Sequence, residues 1–157
     1  MKVNMGWLAL LLALLTLSGC ASKKSEEVRP YATGDVLTLM EAGAFDGEME
    51  EVDGAILAPL YGIDPATVVE SAGYMAINTA QSADEVTVLV LSDVPAAQAA
   101  EDACHQRVAD LLKVCRTYAP AAVPSLESAV IRRVDNTVLL AVGNPDKLPK
   151  AVEELGK

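Results

Sequence analysis

Glu85-Val86-Thr87-Val88-Leu89-Val90-Leu91 decides the fold: Val86, Val88 and Val90 alternate with Thr87, Leu89 and Leu91 in a run of β-formers that reads as a strand. Upstream, a second apolar run from Val69 to Asn78 is separated from it by the polar loop Thr79–Asp84, so the two read as an antiparallel pair. Downstream, Asp93 and Pro95 open a long helix that Pro120 closes. Its apolar stripe is Cys104, Val108, Leu111, Cys115 and Tyr118, spaced 4, 3, 4 and 3 apart. Val108 and Leu111 are expected on the sheet, with Leu111→Ala costing about 2–5 kcal/mol as a core truncation. After the Pro120–Pro124 link, Ser128–Val134 and Thr137–Val142 read as a second hairpin across Asp135-Asn136, a pair that tolerates a tight turn's positive φ. A last helix is expected over residues 145–155.

Two short helices precede these units. Thr33 is a fair N-cap for a stripe of Val36, Leu37, Leu39 and Met40 that Gly43 ends, and Ala55–Tyr61 reads as helical although it contains Pro59. Between them lie Asp46, Glu48, Glu50, Glu51 and Asp53, read as a solvated helix entry because the spacing lacks the alternating carboxylates and closing glutamate of a calcium loop. Gly62 and Asp64-Pro65 then mark a turn. The expected architecture is α+β: strand-strand-helix twice, giving a four-stranded antiparallel sheet with one face covered by helices, a two-layer sandwich. The near-duplication of the unit suggests a pseudo-twofold arrangement.

The N-terminus carries a different kind of signal. Lys2 supplies a positive start, Trp7–Leu17 an apolar run of 11 residues, and Ser18-Gly19 small residues ahead of Cys20. Eleven residues are too few to span a hydrocarbon core, which takes about 20. Leu17-Ser18-Gly19-Cys20 is similar to the lipobox of bacterial lipoproteins, which directs thioether attachment of diacylglycerol to the cysteine and cleavage before it. The resemblance implies three parts: a signal peptide over 1–19, a lipid-anchored tether over 20–32 with Cys20 as the lipid attachment, and a single α+β domain over 33–157. Localisation follows as the outer face of the cytoplasmic membrane, or an outer membrane if the cell has two.

Composition narrows the function classes. Removing residues 1–19 takes away only Lys2 among charged residues, moving the net charge from −10 to −11 and leaving 138 residues, enough for one compact domain. Such acidity disfavours nucleic acid as a partner. Trp7 leaves with the leader, so one phenylalanine and four tyrosines remain, too few for a carbohydrate-stacking platform. His105 is the only histidine, which leaves a metal centre without a ligand set, and no phosphate loop or nucleophile elbow is present. No cofactor is expected. Cys104 and His105 are neighbours, but adjacent helical residues point about 100° apart. A buried cysteine and a surface histidine are therefore expected rather than a catalytic pair. Cys104 and Cys115 lie 11 residues apart, about 16 Å along a helix, beyond the roughly 7 Å Cα separation a disulfide allows. Two buried free thiols follow. Arg132 and Arg133 alternate across a strand, one toward solvent or an acid and the other at the edge of the helix layer.

Taken in order, the lipobox, Ala42-Gly43-Ala44-Phe45, the acidic entry, Leu60-Tyr61-Gly62-Ile63-Asp64-Pro65 and Ser82-Ala83-Asp84-Glu85-Val86 make the chain resemble one family. It is the bacterial lipoprotein domain-of-unknown-function family four-three-five-eight, found mainly in low-GC Gram-positive bacteria. That family has no established activity, so the resemblance carries over no catalytic or binding residue; Cys20 alone is assigned, through the lipobox. Cys104 and Cys115 depart from a pattern usually poor in cysteine. The function expected is that of a membrane-anchored extracytoplasmic lipoprotein whose domain binds an envelope protein or cell-wall component without catalysis. The alternative is a cell-envelope enzyme with a carboxylate-based site.

Overall fold

The computed structural model describes residues 28–155. The expected signal peptide, Cys20 and the expected tether through residue 27 lie outside the described residues. Chain order is α1 (Asp35–Glu41), β1 (Met49–Glu51), α2 (Gly54–Tyr61), β2 (Val68–Ala76), β3 (Glu85–Leu91), α3 (Val94–Tyr118), α4 (Val123–Glu127), β4 (Val130–Val134), β5 (Thr137–Val142) and α5 (Leu148–Leu155). The strands form one antiparallel sheet ordered β1-β2-β3-β5-β4.

Local chemistry accounts for most of the boundaries. Asp93 caps α3, its side chain accepting the Ala96 N–H at 2.8 Å, and Pro95 sits in the first turn where no donor is needed. Gly62 closes α2 at φ 71°, and Asp64 accepts from the Ala66 N–H to start the next turn. Asp135, at φ 51°, turns the β4–β5 hairpin. Thr33 does not cap α1. Gly34 holds the cap position without a side-chain bond, and the Asp35 carboxylate, paired with Arg29 at 2.7 Å, accepts the Ala32 N–H. Packing reaches back to Tyr31, a buried residue whose N–H donates to Thr137 Oγ1 at 2.9 Å.

Three expectations need correction. The sheet has five strands, because Met49–Glu51 within the acidic stretch pairs with Tyr74–Ala76. Two glutamates in three residues give no strand propensity, so the pairing is imposed by the neighbouring strand rather than by local preference. Second, both faces of the sheet are covered, making three layers rather than two. On one face α2, α3 and α4 pack Leu57, Cys104, Val108 and Leu126 against Leu89, Leu91, Val138 and Leu140. On the other, α1 and α5 pack Val36, Leu39, Leu148 and Val152 against Val86, Val88, Leu139 and Ala141. Every residue of β5 is buried, as is all of β3 but Val90. Strands buried on both sides read as continuous apolar runs rather than as apolar-polar alternation. Third, the pseudo-twofold fails. An axis relating adjacent antiparallel strands would stand perpendicular to the sheet and keep both following helices on one face, whereas α3 and α5 lie on opposite faces.

Tyr118, expected on the stripe, is 81% exposed, and Leu111 is only partly buried. The periodicity runs on to the end of α3, but Tyr118 has no sheet beneath it. No helix among the described residues is long and apolar enough to cross a membrane.

Gly143 follows β5 where no side chain fits: a Cβ there would lie 2.6 Å from the Ala44 carbonyl oxygen and 2.8 Å from the Phe45 ring. Because the nearest atom is backbone, Gly143→Ala is expected to destabilise the domain by about 1–3 kcal/mol as an overpacking substitution. A lower urea midpoint at unchanged slope is the readout, and an unchanged midpoint would mean that the Ala44–Phe45 segment yields freely.

Candidate functional site

Glu85 and Thr87 occupy alternate positions of β3 on the face toward α3, in an otherwise apolar strand, and both are buried. Two helices supply their partners. From α3, the Arg107 Nε donates to Glu85 Oε1 at 2.9 Å and the guanidinium Nη2 to Oε2 at 2.9 Å. From the end of α2, the Tyr61 hydroxyl donates to Glu85 Oε1 and lies 2.8 Å from Thr87 Oγ1. The guanidinium also stands over the Tyr61 ring, 5.0 Å from its centroid. Room for this cluster comes from Gly73 on β2, where a Cβ would come within 2.7 Å of Thr87 Oγ1.

Burial pushes the Tyr61 phenol well above its ordinary value, and the neighbouring Glu85 charge adds to the effect. For Arg107 burial works against the charge, but the hydrogen bonds and charge of Glu85 outweigh it and hold the guanidinium protonated. Both Glu85 oxygens are engaged by Arg107 or Tyr61 and the residue is 3% exposed, so this carboxylate is held as a structural ion pair. The cluster ties α2 and α3 to the sheet centre.

An open cavity lies at the end of the sheet next to this cluster. It holds about 520 Å³ and is formed where residues 46–48, the β2–β3 loop and the α3–α4 link meet. Its polar lining is Asp46, Glu48, Asn78, Gln81, Ser82, Asp84 and Ser125, and its apolar lining includes Ile77, Ala121 and Ala122. Asp84 organises the wall: its Oδ2 accepts the Asp46 N–H at 3.0 Å and the Gly47 N–H at 2.9 Å. The Asp46 carboxylate accepts from Asn144 Nδ2 at 2.7 Å and from Lys147 Nζ at 3.4 Å. A smaller pocket of about 80 Å³ shares Ser82 and Asp84 with this cavity and is also lined by Glu85 and Arg107. Arg107 in turn borders a groove of about 420 Å³ between α2 and α3, rimmed by Leu60 and Val114.

Of the residues singled out from sequence, Cys20 lies outside the described residues. Cys104 is buried on the α3 stripe and His105 is exposed, so the structure does not bring them together as a pair. Cys104 and Cys115 are both buried and free on one continuous helix. Burial, with Glu85 nearby, pushes the Cys104 thiol up to about 12, far from the thiolate that nucleophilic chemistry needs. Arg133 pairs with Glu101 of α3 at 2.9 Å, and Arg132 alternates to the opposite face. Among the described residues no group of three or more His, Cys, Asp or Glu is placed to hold a metal ion. Sequence reasoning missed the Glu85–Arg107 pair and the cavity. The one signal available for the pair was a glutamate and a threonine two apart on one side of an apolar strand.

Residues 41–143 match the family model described as Domain of unknown function (DUF4358). That span holds the whole sheet, the Glu85–Arg107 pair and the cavity lining, and leaves α5 and all of α1 but Glu41 outside it. No curated protein matches the chain, and no solved structure does.

Proposed function

The chain belongs to the family described as Domain of unknown function (DUF4358), and we propose that it is a lipid-anchored extracytoplasmic domain that binds a protein or cell-wall component rather than catalysing a reaction. The observation that carries the reading is the leader: a positive start, a short apolar run and Leu17-Ser18-Gly19-Cys20. Diacylglycerol on Cys20 would supply two acyl chains, which is what stable anchoring takes. The domain would then stand at the outer face of the cytoplasmic membrane, or on an outer membrane where the cell has one. Non-catalytic binding is supported by chemistry: the buried carboxylate Glu85 is tied up with Arg107 and Tyr61, and the Cys104 thiol is held protonated. The cavity at the sheet end supplies an open, polar surface for a ligand.

Cys20→Ser tests the anchor. It is expected to abolish incorporation of a metabolically supplied fatty-acid probe and to leave the leader uncut, read by labelling and by fractionation of membranes. Equal labelling of the variant and the unaltered protein would sink the lipoprotein reading.

A further inference from the structure

We propose that Tyr31 and Arg132, beside β4 on the face covered by α1 and α5, form a site for a phosphate group, the Tyr31 hydroxyl and the Arg132 guanidinium donating to the same oxyanion. This goes beyond the reading above, and only the source of the phosphate rests on the anchor. Tyr31 is 3% exposed, and its hydroxyl is the one fully buried side-chain polar atom among the described residues without a hydrogen-bond partner. Such a group is costly, because it has given up water and gained nothing in return. Arg132 has the matching deficit. Of the five arginines it alone has no carboxylate at ion-pair distance among the described residues. Strand alternation puts it on the Tyr31 side: Val130 and Val134, its neighbours on that face of β4, pack in the cluster that contains Tyr31, while Arg133 points the other way to Glu101. The two groups lie close enough for the Arg132 charge to offset part of the rise that burial imposes on the Tyr31 phenol.

What the pair lacks is an acceptor. A guanidinium carries only donors, so it cannot take the proton that the Tyr31 hydroxyl retains. Asp35, the acid beside Tyr31, is already spent: both its oxygens accept from Arg29, and one also accepts the Ala32 N–H. A water molecule would satisfy the hydroxyl but leave the guanidinium without a counter-charge, whereas an oxyanion answers both. Arg132 is partly exposed where the hydroxyl is closed off, so the guanidinium meets the anion first and the hydroxyl completes its coordination. Position points to phosphate. Tyr31 follows Cys20 by 11 residues, at most about 40 Å of extended chain, which keeps this side of an anchored domain within reach of bilayer phosphates. The net charge of −10 repels anions elsewhere on the chain and so keeps non-specific phosphate binding low. A lipid headgroup and free inorganic phosphate present the same oxygens.

The test is calorimetric titration of the full-length protein in detergent with inorganic phosphate, with glycerophosphoglycerol (a lipid headgroup diester without its acyl chains) and with acetate. Saturable one-to-one binding of a phosphate probe, stronger than that of acetate, is expected, and the stronger of the two phosphate probes identifies the source. Arg132→Gln should weaken binding by about tenfold or more, and Tyr31→Phe by about three- to tenfold. Arg133→Gln, on the opposite face, should leave it unchanged. Because the Tyr31 hydroxyl has no partner in the ligand-free domain, Tyr31→Phe should keep or raise the urea midpoint in phosphate-free buffer while losing part of the rise that saturating phosphate gives the unaltered protein. Either no saturable binding of the phosphate probes, or acetate binding as well as they do, overturns the proposal. So does an affinity indifferent to Arg132→Gln, or a phosphate-free midpoint lowered by Tyr31→Phe, which would mean that the hydroxyl is already satisfied. If the phosphate probes fail while crosslinking in intact membranes still joins the unaltered protein to one stoichiometric partner, the phosphate site falls and the binding reading stands. A failure of Cys20 labelling strikes the anchored reading alone.

Discussion

Arg107→Met is expected to lower the stability of the domain by about 3–5 kcal/mol, the scale of stranding a buried charge by removing its partner. Glu85 would keep the Tyr61 hydroxyl but lose all three Arg107 contacts between 2.9 and 3.1 Å, with almost no solvent to replace them. Methionine keeps much of the arginine stem's packing, so the loss is assigned to the charge rather than to a cavity. The companion measurement is the double variant Arg107→Met with Glu85→Leu. Removing both charges takes away the attraction and the desolvation cost together, and such replacements are often neutral or stabilising by about 1–4 kcal/mol. Urea unfolding should therefore place the double variant well above Arg107→Met. If the double variant were the less stable of the two, the pair would owe its place to something other than mutual neutralisation, and Tyr61 left without its acceptor would be the group to examine.

How much of this was legible in the sequence follows from what each signal physically reports. The long helix was readable because Asp93, Pro95 and the stripe through Cys104 and Val108 act within a few residues of one another. The separation of Cys104 from His105 was readable for the same reason. By contrast, Tyr118 lies in phase with the stripe yet is exposed, since phase reports only a helix face and not what lies opposite it. β3 and β5 were readable as strands, but the second helix layer was hidden. The alternation of Val86 and Val88 with Leu89 and Leu91 pairs apolar with apolar, and its meaning as two buried faces depends on Val36 and Leu148, far away in the chain. The β1 strand was illegible because Glu50 and Glu51 are recruited by β2. Glu85 and Arg107 lie 22 residues apart on different elements, and the cavity is assembled from three separate segments. No local period connects such residues, so only the tertiary fold brings them together.

Leu139→Ala is the sharpest test of that second layer, with an expected cost of about 2–5 kcal/mol. Leu139 is fully buried at the middle of β5, opposite Val88 of β3, and belongs to the cluster formed with α1 and α5. In a two-layer sandwich its face would meet water and truncation there would cost little. In three layers it removes a side chain enclosed on every side. Leu111→Ala makes the comparison: this residue belongs to the α3 face but is partly buried and borders two pockets, so water can fill part of what is removed. Its cost should fall clearly below that of Leu139→Ala, reversing the weight the helical stripe alone would give it. Lys113→Ala, at an exposed residue paired with exposed Asp110, should shift stability by no more than about 0.5 kcal/mol. Urea midpoints in that order support the layer contributed by α1 and α5, two helices that lie, but for Glu41, outside the family match. Leu139→Ala unfolding at the same midpoint as Lys113→Ala would instead mean that these helices do not seal the sheet, and that its α3 face carries the stability by itself.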